Sequence, residues 1–187
     1  LEITSLGKYF TPAYQILDEK SFVNGIVGLM ATGGSTNLVL HLPAMAKAAG
    51  IKIELGDFDD ISRVTPLMAK IYPNGLADVN HFHAAGGLNY MIAQLLEYGY
   101  LHNDVQTIMG LGLEAYTKEP KLVDGQIEYV PSSTKTHNEK ILRPVIDPFQ
   151  KSGGIKKLDG NLGTCIIKIS SVLMEQQTIE APARVFE

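Results

Sequence analysis

ATGGSTNLVLHLPAMAKAAG, residues 31–50, joins the end of one helical pattern to the start of another. Its two glycines, Gly33 and Gly34, interrupt a pattern over residues 19–32, and apolar residues then recur at helical spacing as far as Gly50. The first turn of the second helix contains no carboxylate, although free N–H groups and the helix dipole favour negative charge there. The stretch therefore predicts two packed helices, joined by a turn rich in hydrogen-bond donors.

Two interpretations of this turn remain open on local chemistry. In the first, Gly33 and Gly34 let a ligand approach the backbone, and Ser35–Asn37 add donors for a phosphate or carboxylate. In the second, Thr32 or Ser35 is simply the N-cap of a helix, which the local residues favour. The turn is not a P-loop, since the lysine of that motif is missing.

Composition excludes several classes of protein. The 187 residues are 45% hydrophobic and 19% charged, which is typical of a globular protein. A formal net charge of −4 argues against nucleic-acid binding, and no run of about 18 apolar residues predicts a membrane span. A single cysteine excludes an intrachain disulfide and favours a cytoplasmic location.

Local signals predict most of the remaining elements. The strongest helical pattern after residue 50 is LNYMIAQLLEYG, residues 88–99. YPNG, residues 72–75, predicts a turn, and the Asp-Gly pair at 124–125 predicts a turn between two strands.

Residues 51–68 give two further predictions. IKIEL, residues 51–55, alternates in polarity and predicts a short strand. After it, Asp57 or Asp59 would cap a helix that continues through Leu67 and Met68.

The pattern changes near residue 148. Residues 1–147 are mainly helical with a few strands, whereas 148–187 alternate polar and apolar residues and are rich in glycine and β-branched types. We predict an α/β protein with two units, 1–147 and 148–187. The second unit resembles the opening of an all-β unit that is cut off at Glu187.

Several side chains are candidates for metal binding or catalysis. On a strand, His81 and His83 would face the same way and could bind a metal, although bonds to backbone groups near a helix end are favoured. Cys165 lies in an apolar strand with no adjacent base, which favours a buried structural thiol. Four acidic residues could suggest a site for a divalent cation, but their spacing is not that of a Ca²⁺ loop, and helix capping explains them better: Glu54, Asp57, Asp59 and Asp60.

Five stretches follow one another along the chain: MATGGSTNLVLHLPAMAKAAGI, DDISRVTPLMAKIYPNG, DVNHFHAAGGL, LLEYGYLHNDVQTIMGLGL and GGIKKLDGNLGTCIIKIS. Together, and in this order, they resemble the dihydroxy-acid dehydratase/6-phosphogluconate dehydratase family. YPNGLADVNHFHAAGG and EAYTKEPKLVDGQIEYV are more similar to the branch that acts on 6-phosphogluconate.

The resemblance implies a central segment of a protein about three times longer. Residues 1–147 would be the mainly helical end of a large α/β domain, and 148–187 the first strands of a β-barrel-like domain. The whole protein would be a cytoplasmic lyase, usually a homodimer, that converts 6-phosphogluconate to 2-dehydro-3-deoxy-6-phosphogluconate in the Entner–Doudoroff pathway. The chain alone would be inactive.

In this family a base removes the proton α to the carboxylate while an iron–sulfur cluster, expected to be 4Fe–4S, assists departure of the hydroxyl. A divalent cation helps to hold the carboxylate. One cysteine cannot ligate such a cluster, so the resemblance implies no cofactor, metal or catalytic residue in this chain. The residues implied to contact the phosphorylated sugar acid are Gly33, Gly34, Ser35, Thr36, Asn37 and His83.

Two other functions stay open at the level of the sequence. One is the dihydroxy-acid dehydratase branch of the family, which serves branched-chain amino-acid synthesis. The other is a non-catalytic module that binds a sugar acid or a partner protein.

Overall fold

The computed structural model describes residues 10–186, so the ends of the two predicted units, residues 1–9 and Glu187, lie outside the described residues. The helices in the described part are α1 Ala13–Ile16, α2 Glu19–Thr32, α3 Leu38–Ala48, α4 Leu55–Val64, α5 Val79–Ala84 and α6 Gly87–Glu97. The strands in the same part are β1 Gln106–Thr107, β2 Gly110–Leu111, β3 Lys118–Val123, β4 Gln126–Pro131, β5 Lys156–Gly160 and β6 Gly163–Ile167. None of these helices is long and apolar enough to cross a membrane.

Helix α2 contributes residues to both core clusters of the fold, which confirms the packed helix predicted over residues 19–32. It begins with a capping box, in which Asp18 Oδ1 accepts from the N–H of Ser21 at 2.7 Å. One face packs with α5 and α6 in a core cluster built from Val27, Ala31, Met68, Ala69, Phe82, Ala85, Tyr90, Met91, Leu95, Leu142 and Val145. Its opposite face packs with α3 and α4 in a second cluster: Ile26, Leu29, Met30, Val39, Phe58 and Ile155.

Helix α3 is shorter than predicted and less buried. It begins at Leu38 and ends at Ala48, with Pro43 inside it. Of its residues only Val39 and Ala46 are buried, whereas the apolar residues Leu38 and Met45 are exposed. Of the two helices joined by the turn, α2 therefore buries more residues in the core than α3 does.

The predicted helix through Met68 is wrong at both ends. Helix α4 begins at Leu55 with Glu54 as its N-cap, and it ends at Val64. The physical reason for the early end is Pro66, because a residue before proline is pushed out of the helical region, and Thr65 is extended (φ −93°, ψ 124°).

The predicted strand at residues 51–55 is also wrong. Residues 51–54 have no regular structure, and Leu55 already belongs to α4. The N–H of Ile51 bonds to the oxygen of Ala46, closing the end of α3. No strand among residues 10–186 pairs with this segment, and its alternation leaves two isoleucines half-buried.

The strands of the described residues form three separate antiparallel pairs: β1–β2, β3–β4 and β5–β6. The β3–β4 turn confirms the Asp-Gly prediction, with positive φ at both Asp124 (49°) and Gly125 (80°). The fold is thus mixed α/β as predicted. Residues 10–186 contain no closed barrel, and the division at residue 147 stays a prediction.

Helix α4 fastens the segment that leads into β5. Ser62 donates from Oγ to the oxygen of Ile155 at 2.5 Å and accepts at its own carbonyl from Gly153 N–H at 2.7 Å. Asp59, whose side chain is only 8% exposed, accepts at Oδ1 from the N–H of Lys157 at 3.0 Å and at Oδ2 from Arg63. The Lys157 bond holds the pKa of Asp59 below its ordinary value against the opposing effect of burial, and Arg63 adds to it.

Replacing Asp59 with alanine is expected to destabilise the fold by about 1–3 kcal/mol, because the Lys157 N–H loses its acceptor. A carboxyl whose pKa is lowered by folding contributes its full stabilisation of the folded state when the pH is above its ordinary pKa of about 3.9. That contribution disappears as the pH falls through the pKa of the folded state. Denaturant titrations at pH 6 and pH 3 should therefore show a smaller acid loss for the variant. The exposed neighbour Asp60→Ala is the control, and an equal effect there would contradict the assignment.

Candidate functional site

An open cavity of about 480 Å³ lies at the donor-rich turn between α2 and α3. Its walls come from three separate parts of the chain, namely the turn itself, the residues after α4, and the residue that follows β6. The lining residues are Thr32, Gly33, Gly34, Ser35, Thr36, Ile71, Tyr72, Pro73 and Lys168.

The glycine pair ends α2. Gly33 adopts the left-handed conformation (φ 59°) and donates to the oxygen of Met30 at 3.2 Å, while Gly34 donates to the oxygen of Leu29 at 3.0 Å. These two hydrogen bonds form a Schellman motif, in which the first residue after the helix needs positive φ and is usually glycine. The glycines therefore have a local structural reason beside any contact with a ligand.

Two residues of the turn that line the cavity, Ser35 and Thr36, have donors without an acceptor among the described residues. Thr32 does not cap α3, since its hydroxyl bonds to the oxygen of Gly28 at 2.7 Å. Ser35 Oγ accepts from the N–H of Asn37 at 3.2 Å, and Asn37 itself makes no side-chain cap. Within residues 10–186, the N–H groups of Ser35 and Thr36 and the Thr36 hydroxyl have no acceptor. The predicted N-cap role of Thr32 is therefore wrong, and the N-cap of α3 is Asn37. The turn closes the end of α2 and leaves these three donors without an acceptor in the described part of the chain, while its contact with a ligand stays a prediction.

Lys168 faces this turn across the cavity. Among the described residues that line the cavity, it is the single charged side chain, and none of them is a carboxylate. Its ammonium group has no ion pair or side-chain hydrogen bond within the described part of the chain. Burial lowers the pKa of Lys168 below the ordinary lysine value. A partly desolvated cation opposite free N–H groups is suited to an anionic ligand.

The structure brings four of the six predicted contact residues to the cavity. Asn37 is exposed at the end of the turn and is not among the lining residues. His83 lies on α5, exposed and packed beside Gly87, away from the lining. The proposed contact of these two residues with a ligand stays a prediction.

The two histidines do not form the pair that a strand would give. Because α5 is a helix, side chains two positions apart point about 200° away from each other. His81 instead completes a capping box with Asp78, whose Oδ1 accepts from the His81 N–H at 3.0 Å. That bond is the first cause of the lowered pKa of Asp78.

Of the four acidic residues predicted as helix caps, Glu54 and Asp57 cap α4, whereas Asp59 bonds to Lys157 and Arg63 and Asp60 pairs with Arg63. Asp57 Oδ2 accepts from the N–H of Glu54 at 2.7 Å, which forms one half of a capping box. Over residues 10–186, no group of three or more histidine, cysteine or acidic side chains could hold a metal ion.

The prediction that Cys165 is buried is wrong. It is exposed on β6, directly opposite Leu158 of β5, which is 42% exposed. A two-stranded hairpin leaves one face uncovered unless another layer packs on it, and that face carries Cys165. An exposed lone thiol is not a site for an iron–sulfur cluster, which needs several cysteine ligands.

Sequence reasoning did not identify Lys168 or the residues of the YPNG turn as parts of a site. Lys168 follows the apolar run Cys165–Ile167, where it looks like the end of a strand. Its meeting with residues 32–36 joins positions more than 130 residues apart, so no local pattern marks it. A cation directly after an apolar strand was the available signal.

Comparison with known proteins gives matches over most of the chain. The model of the dihydroxy-acid/6-phosphogluconate dehydratase N-terminal region matches residues 2–116, and the model of the C-terminal region of the same family matches residues 140–187. The cavity therefore lies between segments of both regions, since Lys168 belongs to the second match.

Individual relatives agree with these family matches. A phosphogluconate dehydratase of Rhizobium meliloti is 54% identical over all 187 residues and 31% of its own length. A phosphogluconate dehydratase of Escherichia coli K12 is 50% identical over 99% of this chain and 31% of the relative. A dihydroxy-acid dehydratase of Caldanaerobacter subterraneus is 37% identical over 95% of this chain and 30% of the relative. The chain thus spans about a third of the length of these relatives.

Proposed function

This chain belongs to the dihydroxy-acid/6-phosphogluconate dehydratase family, and from that membership we propose that the whole protein dehydrates 6-phosphogluconate to 2-dehydro-3-deoxy-6-phosphogluconate. Identities of 50–54% to phosphogluconate dehydratases, against 37% to a dihydroxy-acid dehydratase, favour this branch. The same proposal includes assembly as a homodimer, which light scattering of the purified protein would test.

The observation that carries a role for this chain is the cavity with Lys168 on one wall and free donors on the other. The substrate bears a phosphate and a carboxylate, and both accept charge-assisted hydrogen bonds. In the proposal, the Lys168 ammonium and the N–H groups of Ser35 and Thr36 bind one of these groups. Their role is to bind and orient the substrate, which raises the effective concentration of the reacting carbon at the catalytic groups.

Dehydration also needs a base for the proton and an acid for the departing hydroxide. The described residues do not fit an iron–sulfur cluster or a divalent cation, because Cys165 is alone and no group of metal ligands is assembled. We therefore assign no step of the reaction to such a group within this chain. In the proposal, the remaining two thirds of the whole protein provide the cofactors and the proton-transferring groups.

The proposal is tested by purifying the whole protein that contains this chain without exposure to oxygen. Turnover of 6-phosphogluconate and of 2,3-dihydroxy-3-methylbutanoate is compared, following the 2-oxo acid product with semicarbazide. We expect kcat/KM for 6-phosphogluconate to be at least about 100-fold higher, a ratio that a site with charged groups for one substrate readily gives. The opposite preference would favour a dihydroxy-acid dehydratase, and binding without turnover of either acid would favour a non-catalytic module.

A further inference from the structure

The side chain of Asn74 bridges two walls of the cavity. Its Nδ2 donates to the oxygen of Gly33, at the end of α2, at 2.9 Å. Its Oδ1 accepts from the hydroxyl groups of Ser170 at 3.0 Å and Ser171 at 2.8 Å. These two serines follow Lys168 by two and three residues, so one amide joins the donor turn to the segment that carries the cation.

The chemistry of the partners fixes the orientation of this amide. The carbonyl of Gly33 can only accept, so the NH2 end of Asn74 must face it. The oxygen end then faces the two serine hydroxyls, which can donate. The backbone of Asn74 is held as well, because its N–H donates to the oxygen of Ile71 at 2.8 Å. The half-buried amide is therefore a fixed spacer between the two walls.

Gly154, which does not line the cavity, lies close to both Gly33 and Ser170. A Cβ added at Gly154 would lie 2.4 Å from Ser170 Oγ and 3.5 Å from the Cα of Gly33. The Ser170 N–H donates to the oxygen of Gly154 at 3.2 Å. Where little side-chain packing separates two segments, directional hydrogen bonds decide their spacing, and Asn74 makes three of them.

We propose that Asn74 is a positioning residue for anion recognition, which sets the distance between the Ser35–Thr36 donors and the Lys168 ammonium. The inference rests on the proposed function, because it assigns how the substrate-binding cavity is held in shape. Asn74 is not among the lining residues and acts through the two walls. Its loss should weaken binding of the substrate more than it slows the chemical step.

The test measures steady-state kinetics of the whole protein with Asn74→Ala and Asn74→Asp. For Asn74→Ala we expect KM for 6-phosphogluconate to rise about tenfold with kcat within about threefold, the pattern of lost uniform binding. Asn74→Asp should raise KM further, because one carboxylate oxygen would face the oxygen of Gly33 and add negative charge beside the anion site.

Asn24 provides a matched control. It is also half-buried, and it makes two bonds to the backbone of His102: Nδ2 to the oxygen at 2.8 Å, and Oδ1 from the N–H at 2.8 Å. It lines a different, apolar cavity on the side of α2 that faces α6. Asn24→Ala should lower Tm to a similar extent as Asn74→Ala and leave KM unchanged, which separates positioning from general stability.

A wild-type KM in Asn74→Ala, or an equal rise in Asn24→Ala, would overturn the inference while the proposed function stands. Failure of the unaltered protein to turn over 6-phosphogluconate would instead overturn the proposed function. If Asn74→Ala does not fold, as judged by circular dichroism, Ser171→Ala removes one bond to the same amide from an exposed position. KM should then rise about threefold, and an unchanged KM would overturn the inference.

Discussion

Replacing Lys168 with methionine is expected to raise KM for 6-phosphogluconate by about 10- to 150-fold in the whole protein, with a much smaller change in kcat. A hydrogen bond to a charged group contributes about 1.5–3 kcal/mol, and each 1.4 kcal/mol is about tenfold in affinity. Methionine keeps the length and the apolar stem of the side chain but removes the only charge among the described residues that line the cavity. Steady-state kinetics with both proteins provide the measurement.

The control for this substitution is Lys156→Met. Lys156 lies on β5 of the same hairpin and is exposed, and it does not line the cavity. Lys156→Met changes the net charge by the same amount as Lys168→Met, so an effect of long-range electrostatics alone would appear in both variants. A wild-type KM in Lys168→Met, or equal shifts in the two variants, would remove Lys168 from the binding site.

Gluconate identifies which anionic group Lys168 meets. It has the carboxylate of the substrate but lacks the phosphate. If Lys168 binds the phosphate, Lys168→Met should leave binding of gluconate unchanged, measured as its inhibition constant against 6-phosphogluconate. If Lys168 binds the carboxylate, the substitution should weaken binding of both compounds by a similar factor.

The lowered pKa of Lys168 predicts how KM depends on pH. As the pH rises through that pKa, the ammonium loses its proton, so KM should rise on the alkaline side. Arginine stays charged over this range, so Lys168→Arg should lose the alkaline rise, whatever its KM at neutral pH. Lys168→Met should lose it as well, since it has no group to titrate.

Local signals predicted the elements whose cause is local. Helices α2 and α6 are recognisable because their apolar residues repeat at helical spacing and their ends carry an Asp cap or glycine turns. The Asp124-Gly125 turn is recognisable because few residue pairs accept positive φ twice in succession. In each case the decisive residues are neighbours along the chain.

The failures share a different cause. Residues 51–55 have the alternation of a strand but no partner strand in the part of the chain that the structure describes, and pairing cannot be inferred from one segment. Cys165 has an apolar setting in the sequence, yet the hairpin leaves its face uncovered in the described part of the chain. Whether a strand is paired or covered depends on residues far away.

The site shows the same division. The donor turn was predicted from five consecutive residues, because glycines and small polar residues at a helix start suit an anion. The residues opposite the turn were not predicted, because they are distant along the chain: Asn74 is 41 residues from Gly33, and Ser170 is 96 residues from Asn74. The residue types of the turn thus predicted one wall of the cavity, whereas the residues opposite it could be identified only from the fold.

Replacing Gly33 with alanine is expected to destabilise the protein by about 2–5 kcal/mol. Alanine at the left-handed φ of 59° costs about 1–2 kcal/mol. Its Cβ would also lie 2.2 Å from Asn74 Nδ2 and 2.8 Å from Leu67 Cδ1, and overpacking of this kind adds about 1–3 kcal/mol. The measurement is the denaturation midpoint of the whole protein, together with KM for 6-phosphogluconate.

Gly50→Ala separates the two contributions. Gly50 follows α3 with a φ of 80°, and nothing lies within 4 Å of a Cβ built there, so alanine should cost only the conformational part. Equal losses at the two glycines would mean that the contact with Asn74 contributes nothing. In the Asn74→Ala background the closest clash at Gly33 is gone, so the second substitution should cost less than it does alone. Strict additivity would instead show that Gly33 and Asn74 act independently, and the turn would then be held to Lys168 by other contacts.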